Sequence, residues 1–138
     1  MYKKKYIILK YLFKEIRENP SIIFVIVGTF LFWVSLYLYV PILPNHAKAM
    51  GASSTMIGYI IASYAIGQIF LRIPLGYAVD KWGTKPFAIL TMVCSATGSF
   101  GLALADNSFE IFLARSITGV AGAGWVAISV LFASQFKT

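Results

Sequence analysis

Four stretches of this chain contain no Asp, Glu, Lys or Arg. They run from Asn19 to Ala47, Ala49 to Leu71, Pro86 to Ala105 and Ser116 to Phe136, which is 29, 23, 20 and 21 residues. About 20 apolar residues cross a bilayer as a helix, so a chain of 138 residues with four such runs has little length left for anything else. Charged residues make up 12% of the chain and hydrophobic ones 59%, whereas a soluble domain carries about 25% charged residues. This composition excludes a soluble enzyme, a disordered tail, a disulfide scaffold and a nucleic-acid module. The sequence predicts an all-α integral membrane protein with four spans, near Ser21–Leu43, Thr55–Val79, Pro86–Leu104 and Phe109–Ala133.

The formal net charge of +7 has a topological explanation. Lys3, Lys4, Lys5, Lys10, Lys14 and Arg17 precede the first span, Lys81 and Lys85 separate the second from the third, and Lys137 follows the fourth. The other two connections hold only Lys48. Cytoplasmic connections collect Lys and Arg, so both termini are expected in the cytosol and no nucleic-acid partner is expected. Residues 1–19 alternate these cations with Ile8, Leu9, Leu12, Phe13 and Ile16. They suit either an amphipathic helix on the inner leaflet or a solvated basic tail. A cleaved signal peptide fits poorly, because Ile22 to Val40 exceeds the usual apolar core of such a peptide.

Within the spans, Gly58, Ala62, Ser63 and Gly67, the run Ser95 to Ser99, and Gly119, Gly122, Ala123 and Gly124 are small residues that let helices approach closely. Trp33, Tyr37 and Tyr39 suit an interfacial belt. Cys94 reads as a small packing residue and His46 as a solvated one. No His/Cys/Asp/Glu set has metal-ligand spacing. No catalytic constellation and no phosphate-binding loop is present, so neither an enzyme nor a cofactor is expected.

Three features stand above this apolar background. The first is Gly76-Tyr77-Ala78-Val79-Asp80-Lys81-Trp82-Gly83-Thr84-Lys85-Pro86. Here Gly83 suits a tight turn, Thr84 a helix N-cap and Pro86 an early helical position. Asp80 stands among cations that it can pair with, and Arg72 suits either an interfacial anchor or a partner for Asp80. The second is Arg115, about five residues into the fourth span. An Arg near a bilayer centre costs about 2.5–3.5 kcal/mol, and such residues usually face a bundle interior. Snorkelling to the outer headgroups is the alternative. The third is Pro41-Ile42-Leu43-Pro44, whose prolines end or kink the first span.

Together these features resemble the major facilitator superfamily. Gly76, Asp80, Lys81, Gly83 and Lys85 match in type and spacing the family's signature between helices two and three, roughly G-x-L-a-D-[R/K]-x-G-R-[R/K]. Ala78 and Thr84 depart from it, and the second change removes a cation. Arg115 with Gly119 resembles the R-x-x-x-G motif of helix four, which is associated with proton transfer in proton-coupled members. Pro41 and Pro44 resemble a motif at the end of helix one in the drug:proton antiporter branch.

The resemblance implies a multi-pass permease of the cell membrane. Residues 20–138 would match helices one to four of a twelve-helix fold, as a truncated N-terminal piece whose partners are the bilayer and the remaining helices. The implied activity is export of small amphipathic solutes in exchange for protons, with the Gly76–Lys85 segment as a cytosolic gate and Arg115 at the cavity. Uptake of a sugar or metabolite, and a free-standing four-helix scaffold or regulatory protein, are the other readings.

Overall fold

A computed structural model describes residues 20–135. The amphipathic segment expected over residues 1–19, and Lys137, lie outside the described residues. The described chain forms six helices: α1 (Pro20–Tyr37), α2 (Leu43–Ala49), α3 (Ser54–Trp82), α4 (Thr84–Leu104), α5 (Ser108–Ala123) and α6 (Trp125–Ala133). Four helical stretches are long and apolar enough to cross a membrane: α1, α3, α4 and Ser108–Ala133, which takes in α5 and α6.

Helix α1 opens on Pro20, where the missing N–H is not needed. It stops at Tyr37, six residues short of the expected Leu43. The backbone tightens before Pro41: the Val40 N–H reaches the Tyr37 carbonyl at 3.1 Å, and the Ile42 N–H reaches that of Tyr39 at 3.1 Å. The connection after the first span, expected as a loop, begins instead with α2. Pro44 sits in the first turn of α2 rather than ending a helix. Gly51, at φ 80°, then turns the chain into α3. The Ser53 hydroxyl caps α3 by accepting the Met56 N–H at 3.2 Å.

Helix α3 continues through Pro74 to Trp82, and α4 starts at Thr84. The connection between them is therefore a single residue, Gly83, with φ 87°. Glycine adopts this backbone without the steric penalty a Cβ brings. Thr84, expected as the N-cap, is the first helical residue. Gly83 occupies the cap position, and no side chain bonds there.

Helix α5 is capped reciprocally. The Asn107 side chain accepts the Phe109 and Glu110 N–H groups at 3.1 and 3.0 Å, and Glu110 accepts the Asp106 N–H at 2.8 Å. This is the logic of a capping box. The fourth span then breaks at Gly124. A Cβ on Gly124 would collide with the Thr91 side chain of α4.

Helix α5 lies between α3 and α4 because its small residues admit both. A Cβ on Gly119 would stand 2.8 Å from the Tyr64 carbonyl of α3, and one on Gly98 of α4 would stand 2.6 Å from Thr118. Such close backbone approach is how small residues drive packing in lipid. One apolar cluster joins Leu43, Ala47, Ile60, Leu102 and Ile111 at the α2 end of the bundle. The other joins Phe32, Leu36, Val79, Ala88 and Ile128, with Cys94 packed against it as expected of a small filler. Phe24, Phe30, Ile69, Phe70, Ile73 and Phe100 remain exposed, as side chains facing lipid do.

Candidate functional site

Arg115 does not snorkel. It is 4% exposed. One turn later the Thr118 hydroxyl donates to its backbone carbonyl at 2.7 Å, inside α5. The guanidinium is enclosed by two tyrosines. Its Nη1 donates to the Tyr39 hydroxyl at 2.6 Å, and its carbon lies 4.2 Å from the centre of the Tyr64 ring and 5.3 Å from that of Tyr39. Cation–π attraction at such a distance strengthens when water is excluded. The Arg115 Nε is buried and has no hydrogen-bond partner among the described residues.

The polar network continues from this centre along α1 and α3. The Tyr64 and Tyr37 hydroxyls lie 3.3 Å apart. The Gln68 side-chain amide donates to the Gly122 carbonyl at 3.3 Å, which ties α3 to α5 one turn beyond Tyr64. The aromatic side chains continue from Tyr37 to Trp33 at 5.3 Å between ring centres, and from Trp33 to Trp125 at 5.0 Å. Gly119 makes the arrangement possible, because α5 presses directly on the backbone of Tyr64 there.

Tyr64 and Gln68 were not legible as site residues. Their signal was present: two hydrogen-bonding side chains four residues apart in an apolar span share one helix face. The sequence places Tyr39 in an interfacial belt. Its hydroxyl instead holds the buried Arg, an assignment that needs the turn at residues 38–42 to bring it inward. His46, expected to be solvated, is half-buried, and its Nε2 is buried without a partner. It lines a cavity of about 260 Å³ together with Tyr39 and Ser99.

The signature residues occupy the opposite end of α3. Gly76, Asp80 and Lys81 are in its last turns rather than in a loop, and Lys85 is in the first turn of α4. Asp80, Lys81, Gly83 and Lys85 are all exposed. The Lys81 ammonium lies 5.3 Å from the Trp82 ring centre. Asp80 makes no ion pair among the described residues. Arg72, expected as an anchor or as a partner for Asp80, is exposed two turns earlier on α3. Pro41 is exposed and Pro44 half-buried at the far end. The structure thus places the Arg115–Gly119 pair and the Asp80 segment apart, at different depths of the bundle.

The described residues thus combine a buried Arg in a bundle of four membrane-length helices with a charged helix hairpin, Asp80, Lys81 and Lys85, at one end. A family model described as Major Facilitator Superfamily matches residues 25–138. The chain belongs to the Major Facilitator Superfamily. It is 31% identical over 109 residues to the inner membrane transport protein YajR of Escherichia coli K12, a match covering 76% of this chain and 24% of that protein. It is 26% identical over 111 residues to multidrug resistance protein 2 of Bacillus subtilis 168, covering 80% and 28%. It is 29% identical over 108 residues to the class H tetracycline resistance protein of Pasteurella multocida, covering 76% and 27%. The chain thus spans about a quarter of the length of these relatives. No solved structure gives a significant match.

Proposed function

We propose that this chain forms the first four helices of a twelve-helix exporter that moves small amphipathic solutes outward in exchange for protons. The observation that carries the reading is the burial of Arg115 between Tyr39 and Tyr64. A cation is held in the interior of a membrane bundle only where function repays the cost. The names of relatives that confer drug or tetracycline resistance favour export over uptake. The coverage of about a quarter of each relative favours a longer parent protein.

In this reading the N terminus is cytosolic, the protein resides in the cell membrane, and residues 20–138 form one partial domain behind a basic segment at 1–19. Arg115 and Gly119 serve proton coupling. Arg115 repels a proton or a cation nearby, so its release from Tyr39 and its return would alternate with protonation of a neighbouring group. Gly76, Asp80, Lys81, Gly83 and Lys85 form the cytosolic gate. The single-residue Gly83 turn fixes the α3 and α4 ends relative to each other, so that Asp80 presents a charge to a helix of the other half. Pro41 and Pro44 shape the outer turn that delivers Tyr39 to Arg115.

The test is a vesicle assay on the product of the gene that encodes this chain, read past the Thr138 codon. Loss of accumulated fluorescent drugs, driven by an imposed pH gradient, supports the reading. A stop codon directly after Thr138, or solute uptake without response to the gradient, removes it.

A further inference from the structure

The fourth span breaks although no proline interrupts it. The sequence has none from Ser108 to Ala133, yet α5 ends at Ala123 and α6 starts at Trp125. The break is a local tightening of the backbone. The Gly124 N–H is shared between the Val120 carbonyl at 3.3 Å and the Ala121 carbonyl at 3.0 Å. The Gly124 carbonyl accepts the Ala127 N–H at 2.9 Å and the Ile128 N–H at 3.4 Å. On both sides of Gly124 the shorter bond is the one that spans three residues. A short stretch of such bonding within a helix often marks a hinge.

Three helices hold the break. From α4, the Thr91 side chain fills the space that a Cβ on Gly124 would take. Thr91 is buried, and its hydroxyl is committed to the Phe87 carbonyl at 2.7 Å. From α3, the Gln68 amide donates to the Gly122 carbonyl at 3.3 Å, and the Tyr64 hydroxyl lies 2.8 Å from where a Cβ on Gly122 would stand. From α1, the Trp33 ring meets that of Trp125 at 5.0 Å between centres. The two sides of the break are anchored in different places. Ile111 and Ala114 of α5 belong to the apolar cluster at the α2 end, whereas Ala127 and Ile128 of α6 belong to the one that contains Val79 and Ala88.

We infer that Gly124 is a hinge within the fourth span, with Thr91 as its stop and the Gln68–Gly122 bond as its latch. Helix α6 swings against α5, while α5 stays seated on α3 at Gly119. The latch is a single neutral hydrogen bond, longer than the usual range of about 2.7–3.2 Å, and is easily released. The hinge separates the Arg115 half of the span from the half packed on Val79 and Ala88, close to the Gly83 turn. One end of the bundle can therefore rearrange while the other keeps its contacts. A change of about 20° at the break moves the far end of a helix about 14 Å long by about 5 Å. The inference rests on packing among the described residues and holds whichever way the parent protein moves its solute.

The test uses the full product of the encoding gene in lipid nanodiscs, cleared of other cysteines and spin-labelled in pairs. Ile89 of α4, Ile117 of α5 and Ser134 at the end of α6 are exposed and take the labels. Double electron–electron resonance should give two Ile89–Ser134 distances about 5 Å apart, by the lever arm above, and one Ile89–Ile117 distance. Gln68→Met keeps the side-chain length, removes the donor and should at least double the share of the less populated distance. Gly124→Ala alone overpacks against Thr91, so it is combined with Thr91→Ala, which makes room for the new methyl. That double variant should show one Ile89–Ser134 distance. An unsplit Ile89–Ser134 distance that Gln68→Met leaves alone overturns the hinge. So does equal splitting of both pairs, which means the whole span moves as one body. Two distances retained in the double variant would show that Gly124 serves packing only.

Discussion

The Arg115 guanidinium donates to the Tyr39 hydroxyl at 2.6 Å, across 76 residues of sequence. The bond joins the start of the fourth span to the turn that ends the first, and it depends on the helix stopping at Tyr37. Had α1 continued to Leu43, Tyr39 would occupy a different helical face. The turn at residues 38–42 and the buried cation are thus one structural unit.

Tyr39→Phe tests that unit. The ring remains, but Nη1 loses its acceptor and stays buried. Leaving a buried charged donor unpaired costs about 1–3 kcal/mol or more. Thermal unfolding in detergent should shift clearly downward. Tyr64→Phe should do much less, because it keeps the ring over the cation and loses only a 3.3 Å hydroxyl contact. Equal effects of the two substitutions would contradict the assigned roles.

Glycine substitutions should separate packing positions from idle ones. Gly119→Ala places a methyl 2.8 Å from the Tyr64 carbonyl, and Gly124→Ala drives one into Thr91. Both should lower thermal stability by about 1–3 kcal/mol, as overpacking does. Gly58→Ala meets nothing within 4 Å. It should be neutral or stabilising by up to about 1 kcal/mol, from helix propensity. Cysteine crosslinking between α3 and α5 would report the same difference as lost proximity.

The two helix starts make opposite predictions. Asn107→Ala removes the acceptor for two N–H groups of α5 and should cost about 1 kcal/mol. Thr84→Ala removes no cap bond, because α4 has none from a side chain, and should leave stability unchanged. Chemical denaturation in mixed micelles distinguishes them. A large Thr84→Ala effect would show that the hydroxyl has a role outside the cap.

Asp80→Asn in the parent transporter should reduce transport while membrane insertion and abundance stay as in the wild type. Asp80 is exposed at the end of α3, so its loss leaves the core intact. Vesicle transport measured beside immunoblotting reads both quantities. Unchanged transport would remove Asp80 from the gate.

Much of this architecture is legible in the sequence. The charge-free runs defined four spans, and Gly119 and Gly124 were visible as points of close approach. The limits of legibility have physical causes. The early end of α1 comes from the turn at residues 38–42, where the chain tightens before Pro41, a local choice that a hydropathy run does not reveal. The Asp80 segment read as a loop because its charges look like a break in the membrane, yet helix continues to Trp82 since only Gly83 is needed to reverse the chain. Arg115 was legible as an anomaly. Its enclosure by Tyr39 and Tyr64 was not, because their assembly depends on α5 sliding against α3 at Gly119.

The central claim is that Arg115 couples solute export to proton entry. The direct measurement is proton flux in proteoliposomes of the parent transporter, read by an enclosed pH-sensitive dye when a transported solute is added, for wild type and Arg115→Gln at equal protein content. The account predicts solute-triggered proton movement in the wild type and its loss in the variant, with solute binding at least partly retained. Proton movement of the same size in both proteins would contradict it.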